Sequence, residues 1–319
     1  MLAASKPLCM SGDGDMSEDV MGKPGGTLKT SLTIGNQPYL GATVILPTKH
    51  AKSLAVGPPF WSHLKADVLE YVIDTDQLGT FSGEVERSGN ALDCARRKCE
   101  WGLELLGDRI DYCLASEGSF GPHPAIPFLA RDQEILYFID RRHGFHLHMV
   151  HASQKTNYQM KAVSTLDELQ EFATSAQFPS HALVMRPNDR SSKDVLFKGI
   201  MDENVIKESF ERAKHTSSDS LVWVETDMRA QFNPTRMAVI GELADKMARR
   251  LATLCPSCEA PGWGIVKTEK GLKCEGCYEP TEMILHEVFG CVLCSHRQTL
   301  PRSDGLQSAP QIYCDFCNP

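Results

Sequence analysis

The chain of 319 residues contains no apolar run of roughly 18 residues, so its sequence predicts no membrane-spanning helix. It also has no surplus of positive charge. Its 33 basic residues stand against 41 acidic ones, a formal net charge of −8. That balance argues against a general nucleic-acid binder, which needs cationic surface to neutralise phosphates. The opening MLAASKPLCMSGDGDMSEDV holds no apolar stretch long enough for a secretory leader, and acidic residues follow at once; a cytosolic protein is expected. The segment GSFGP (118–122) lacks the Gly-x-Ser-x-Gly elbow of serine hydrolases. Aromatic residues are modest at 8%, but 42% hydrophobic content suits a globular protein with a core.

Cysteine is abundant. Of the 12 in the chain, eight fall into Cys-x-x-Cys pairs: Cys255/Cys258, Cys274/Cys277, Cys291/Cys294 and Cys314/Cys317. In a reducing compartment this pattern means metal binding. A tight knuckle aims two thiolates at one ion, and two knuckles complete a closed tetrahedral site, so about two structural zinc ions are expected. Sequential pairing of the knuckles (first with second, third with fourth) gives two stacked ribbons. Interleaved pairing (first with third, second with fourth) gives a cross-braced module. The loop lengths favour the sequential form. Residues 255–319 carry five basic and eight acidic side chains, net −3, which favours packing or protein contact over phosphate binding.

Upstream, residues 1–40 are rich in Gly, Ser, Asp and Met and read as a disordered tail. Residues 41–235 alternate short apolar runs with helical patterns. ATVILP (42–47), DVLEYVI (67–73), DYCLAS (111–116), EILYFID (134–140), FHLHMVHA (145–152), ALVMRP (182–187), VLFKGI (195–200) and SLVWVE (220–225) read as strands. Helices are expected from Ser88, as N-cap, to Leu106, over Asp167–Ala176 and over Glu203–Lys214, and a long helix from Pro234 to about Leu254. The fold class is α/β, a mixed sheet with flanking helices, then a connecting helix (236–254) and a small Cys-rich zinc-ribbon module (255–319).

Polar, glycine-bearing segments follow several strands, where α/β sheets gather ligands. PTKHAK (47–52) offers Thr48, Lys49, His50 and Lys52 to an anion. DTDQLGTFSGEVER (74–87) offers Asp74, Asp76, Glu84 and Glu86, with Thr80, Ser82 and Arg87; hard oxygen ligands at this density suit Mg²⁺ or Mn²⁺ bridging to substrate phosphates. ASEGSFGPHP (115–124) offers Glu117 as base or metal ligand, with Ser119 and His123. In ETDMRAQFNPTR (225–236), Asp227 and Arg229 suit a polar substrate, with Arg236 near a helix start; a buried ion-pair joint explains them equally well. His146 and His148 share a strand face, but no neighbouring Cys or acid completes a ligand set.

The run of TKHAK, DTDQLGTFSGEVER, ASEGSFGPHP, TDMRAQFNPTR and terminal CDFCNP resembles an uncharacterised bacterial family, a domain of unknown function, over about residues 42–319. A fainter similarity, over about 42–125, is to the inosine/xanthosine triphosphate pyrophosphatases, which use Mg²⁺. It implies that Thr48 and Lys52 meet phosphates, that ALDCARRKC (91–99) is an Ala-rich helix and that Glu117 takes the acidic position; His50 stands where that family has asparagine. The expected function is a metal-dependent, hydrolase-like enzyme acting on an anionic, phosphate-bearing small molecule such as a nucleotide. Glu117, Asp76, Glu84 and Glu86 are the catalytic candidates, and Thr48, Lys49, His50, Lys52, Thr80, Arg87, Ser119, His123, Asp227 and Arg229 the substrate-binding ones. The alternative is a non-catalytic ligand-binding or adaptor protein that contacts a protein partner through the zinc module.

Overall fold

The computed structural model describes residues 37–79, 89–124, 126–192 and 196–319. They form a mixed α/β protein whose described part divides into two compact units: Tyr39–Arg142 with His148–Ala248, and His143–Leu147 with Arg249–Pro319. No helix among the described residues is long and apolar enough to cross a membrane.

In the larger unit, β1 (Thr43–Pro47) leads to α1 (Ser53–Leu64), β2 (Asp67–Tyr71), α2 (Ala91–Leu106), β3 (Tyr112–His123), β4 (Ile126–Asp140) and, from His148 onward, β5 (Phe145–Ser153). The sheet order is β2-β1-β3-β4-β5. β1 is parallel to both neighbours, and β3 and β4 form a long antiparallel hairpin. Helix α1 was hidden in the sequence by Gly57-Pro58-Pro59, a run of helix breakers. Burial overrides propensity there: Val56, Phe60 and Leu64, four residues apart on one face, are all closed from water. Asn90, rather than Ser88, caps α2, its side chain accepting the Asp93 N–H at 2.8 Å; Ser88 lies outside the described residues.

A second sheet, order β6-β9-β7-β8, is antiparallel throughout. It comprises β6 (Met160–Val163), β7 (Leu183–Pro187), β8 (Phe197–Ile200) and β9 (Val222–Thr226). Helices α3 (Leu166–Ser175) and α4 (Glu203–Thr216) cover it, packing Leu169, Phe172, Ile206 and Phe210 on Leu183, Met185, Val222 and Val224. A capping box between Thr165 and Glu168 opens α3. The long helix α5 (Pro234–Ala252) starts behind Asn233, whose side chain accepts the Arg236 N–H at 3.0 Å.

In the smaller unit, β10 (Gly264–Lys270), β11 (Ile284–Gly290) and β12 (Arg297–Pro301) make a three-stranded antiparallel meander. Each strand joins one cysteine knuckle to the next. Successive knuckles therefore sit at opposite ends of the sheet and alternate ones at the same end.

Candidate functional site

That alternation decides which cysteines come together. Cys255, Cys258, Cys291 and Cys294 form one cluster, and Cys274, Cys277, Cys314 and Cys317 the other. The pairing is interleaved, and the sequential expectation is corrected. A seven-residue strand holds its ends roughly 20 Å apart, so the knuckles it joins cannot share an ion. Neighbouring Sγ atoms lie 3.5 Å apart for Cys258–Cys291 and 3.8 Å for Cys255–Cys294. The corresponding separations are 3.5 Å for Cys277–Cys314 and 3.9 Å for Cys274–Cys317. A tetrahedron with Zn–S bonds of about 2.3 Å has edges of about 3.8 Å, so both clusters fit zinc and leave no open coordination position. The first two knuckles repeat one design. The Cys255 backbone carbonyl accepts from the Glu259 N–H and the Cys274 carbonyl from the Tyr278 N–H, and both fifth residues take a left-handed backbone, φ +58° and +63°. Trp263 and Ala260 pack beside Cys255 and Cys291, giving the first site a small apolar backing.

The polar segments of the larger unit gather at the carboxyl end of β1. There the chain has stepped out to β2 and returned past β1 to β3, so β1 and β3 flank the point where the strand order reverses, the place where open α/β sheets gather ligands. Helix α2 covers one face of the sheet, with Ala95, Cys99 and Leu103 on Ile45, Cys113 and Ala115. Helices α1 and α5 share the other face and meet through His63 and Asp245, 2.8 Å apart.

Strand alternation then sorts the side chains. The segment 115–124, read from sequence as a loop, is mostly strand. Glu117 and Ser119 point to the α2 side, and Ser116, Gly118 and Phe120 to the α1/α5 side. Glu117 is buried and ion-paired with Lys98 of α2, a residue the sequence reading did not single out. On the opposite face Lys52 is buried, its Nζ donating to the Ser116 carbonyl at 3.1 Å and Oγ at 3.2 Å. Next along, opposite Gly118, Glu134 pairs with Arg236 at 2.6 Å, both fully closed from solvent. Arg236 also donates to the Met228 carbonyl at 2.5 Å and lies over the Phe120 ring, 5.1 Å from its centre. Gly118 leaves room for this pair: a Cβ there would stand 2.5 Å from the Arg236 Nη2 and 2.6 Å from the Glu134 Oε1, so the buried side chains would have to shift. Opposite Phe120 stands Asp132.

These charges act on one another. Burial pushes the Lys52 ammonium down to about 7; Arg236 and Lys98 push the same way, and Glu134 and Glu117 partly oppose them. His50 is lowered to about 3 by burial and by Lys52, Arg236, Lys98 and Arg229, so its imidazole is neutral. Ala51 between them has φ +52°, a left-handed conformation unusual for a residue with a Cβ.

Among the other candidates, buried Thr48 accepts the His50 N–H at 3.1 Å, and Lys49 pairs with Asp74 at 2.9 Å. Asp227 and Arg229 form a bidentate pair, 2.5 Å at its shortest, and Asp227 also accepts the Gly199 N–H at 3.1 Å. His123 ends β3. His148 stacks on Tyr137, centres 6.3 Å apart. Asp76 belongs to the short turn Thr75–Leu78, and Thr80, Ser82, Glu84, Glu86 and Arg87 lie outside the described residues. The structure thus brings 48–52, 116–118, Lys98, Glu134 and 228–236 together. Among the described residues, only the two cysteine clusters gather three or more metal-ligating side chains. Lys98, Asp132 and Glu134 escaped the sequence reading because each sits inside a regular element. The legible signal was Asp132 and Glu134 at alternate positions ahead of an apolar strand.

A family model described as "Domain of unknown function (DUF6671)" matches residues 98–319. The stretch takes in both cysteine clusters and the strand bearing Glu117, and excludes the 48–52 loop. No curated protein matches the chain.

Proposed function

The chain belongs to the DUF6671 family of unknown function, and from that premise we propose that its α/β unit binds a small anionic molecule bearing phosphate or carboxylate groups where the strand order reverses between β1 and β3, while the two zinc sites hold the ribbon unit together. The supporting observation is the buried Lys52 at the carboxyl end of β1, whose charge interacts electrostatically with Arg236 and Lys98. An ammonium pushed down to about 7 regains its proton when an anion settles beside it. Binding should therefore draw up a proton at pH 8, and affinity should fall as pH rises through 7. Calorimetry of inorganic pyrophosphate in buffers of different ionisation enthalpy measures both. Lys52→Met should weaken binding by about tenfold or more and abolish the proton uptake, since a charged hydrogen bond contributes roughly 1.5–3 kcal/mol. Equal, pH-independent affinity in the variant would sink the reading.

The narrower form of this proposal is hydrolysis of a phosphate-bearing substrate with Mg²⁺ or Mn²⁺, drawing on Asp74, Asp76, Glu84, Glu86 and Glu117. A panel of nucleotides assayed with each ion should then show turnover that Glu117→Gln lowers at least a hundredfold. Turnover unchanged by that variant removes Glu117 from the chemistry. A second reading, protein contact through the ribbon, is favoured by Tyr278 and Phe316, which flank the second cysteine cluster 72% and 77% exposed. It predicts no anion binding and partner-dependent stabilisation instead.

A further inference from the structure

We propose that Asp132 is the ligand-contacting acid of the α/β unit, donating a hydrogen bond from its carboxyl group to an oxygen of the bound anion. This rests on the anion-binding reading above. Asp132 is fully buried, and neither of its side-chain oxygens has a hydrogen-bond partner among the described residues. Buried polar groups are nearly always paired, and an orphan of this kind marks a place where something else supplies the partner.

The neighbours sharpen the contrast. On the same face of the hairpin Lys52 is held by Ser116, and Glu134 by Arg236. Asp140, equally buried on β4 and also on this face, has the Tyr39 hydroxyl at 2.9 Å. The strand satisfies its other buried acids and leaves this one open.

What the partner is follows from charge. Asp132 stands two residues from Glu134 on one strand face, away from water, so a second negative charge there is disfavoured. Burial first, and Glu134 second, push its carboxyl up to about 8, against the pull of Arg236 and Lys52. Asp132 is thus a neutral acid at pH 7 and can donate. The cations nearby, Lys52 and Arg236, repel a metal ion and attract an anion. An oxygen of a phosphate or carboxylate held by Lys52 would accept the proton of Asp132 in a charge-assisted hydrogen bond. Glu117 is less suited, because it faces α2 and is bound to Lys98. Since Asp132 is closed from solvent, contact requires a side-chain movement at this end of β3 and β4.

The test uses the full-length zinc-loaded chain, with pyrophosphate and citrate as probes for the two anion classes. Infrared spectra at pH 6.5 should show a carboxylic-acid carbonyl band that is missing from Asp132→Asn, an isosteric variant that keeps a donor and should fold. The band should shift when either probe binds. Affinity should fall about tenfold in Asp132→Ala and no more than about twofold in Asp132→Asn. Binding that leaves the band unmoved, or a parent chain with no such band, overturns the role of Asp132 and leaves the anion reading standing. Failure of both probes to bind the parent chain overturns the anion reading and this inference with it.

Discussion

Purified with zinc, the Cys255→Ser chain will hold one metal ion fewer per molecule than the parent, and so will Cys291→Ser. The double variant will hold no fewer than either single one. Each site uses the first and third knuckles or the second and fourth, so two substitutions in one cluster remove one ion. Sequential pairing would remove both. Metal content by mass spectrometry, with footprinting of the released thiols, reads the answer directly. The effect on folding should be large. A structural zinc ion contributes on the order of 10 kcal/mol in small domains, and the first cluster's apolar backing is limited to Trp263, Ala260 and their near neighbours. Residues 255–264 and 290–297 should accordingly lose protection from hydrogen exchange in both single variants, with the 274–317 cluster still metallated.

The second large effect lies in the α/β unit. Replacing Arg236 by Met should destabilise the chain by about 3–5 kcal/mol, because Glu134 would be left charged and unpartnered in a place with no water. In a unit of this size that corresponds to a fall in melting temperature on the order of 10 °C. Combining Arg236→Met with Glu134→Leu should restore most of the loss, since the cost comes from the stranded charge and less from the missing attraction. Differential scanning calorimetry of the three variants would show it. A double variant no better than Arg236→Met would mean that the Arg236 bond to the Met228 carbonyl matters more than its pair with Glu134.

Much of this architecture can be read from residue order, and the parts that cannot share a physical cause. The alternating apolar runs identified the strands from ATVILP to SLVWVE, and the Cys-x-x-Cys pairs named all eight cysteines of the two clusters, because local spacing carries both signals. Pairing among the knuckles was illegible because it depends on where strands run, not on loop length. Helix α1 was missed because Gly57-Pro58-Pro59 breaks helices locally, while tertiary burial of Phe60 holds this one together. ASEGSFGPHP looked like a ligand loop because its glycines and proline suit turns. It is mostly strand because it pairs with β4, Ala115 with Tyr137 through Pro122 with Ala130, and within that ladder Gly118 leaves room for a guanidinium from α5, more than a hundred positions away. The place of Lys52 after β1, which made it a candidate for anion binding, was legible in the sequence. Its depressed basicity was not, since that comes from burial and from Arg236 and Lys98, which only the fold brings near.

The ribbon's alternation of knuckles between the two ends of its sheet has a consequence for how its length can vary. Strand residues alternate sides with a period of two. Adding two residues to each of β10, β11 and β12 would lengthen the ladder and move the two metal sites apart, while returning every knuckle to its original side of the sheet. Adding one residue to a single strand would turn the next knuckle to the wrong side and break the cluster to which that knuckle belongs. The parity of the spacers, more than their size, is therefore the quantity this unit must preserve.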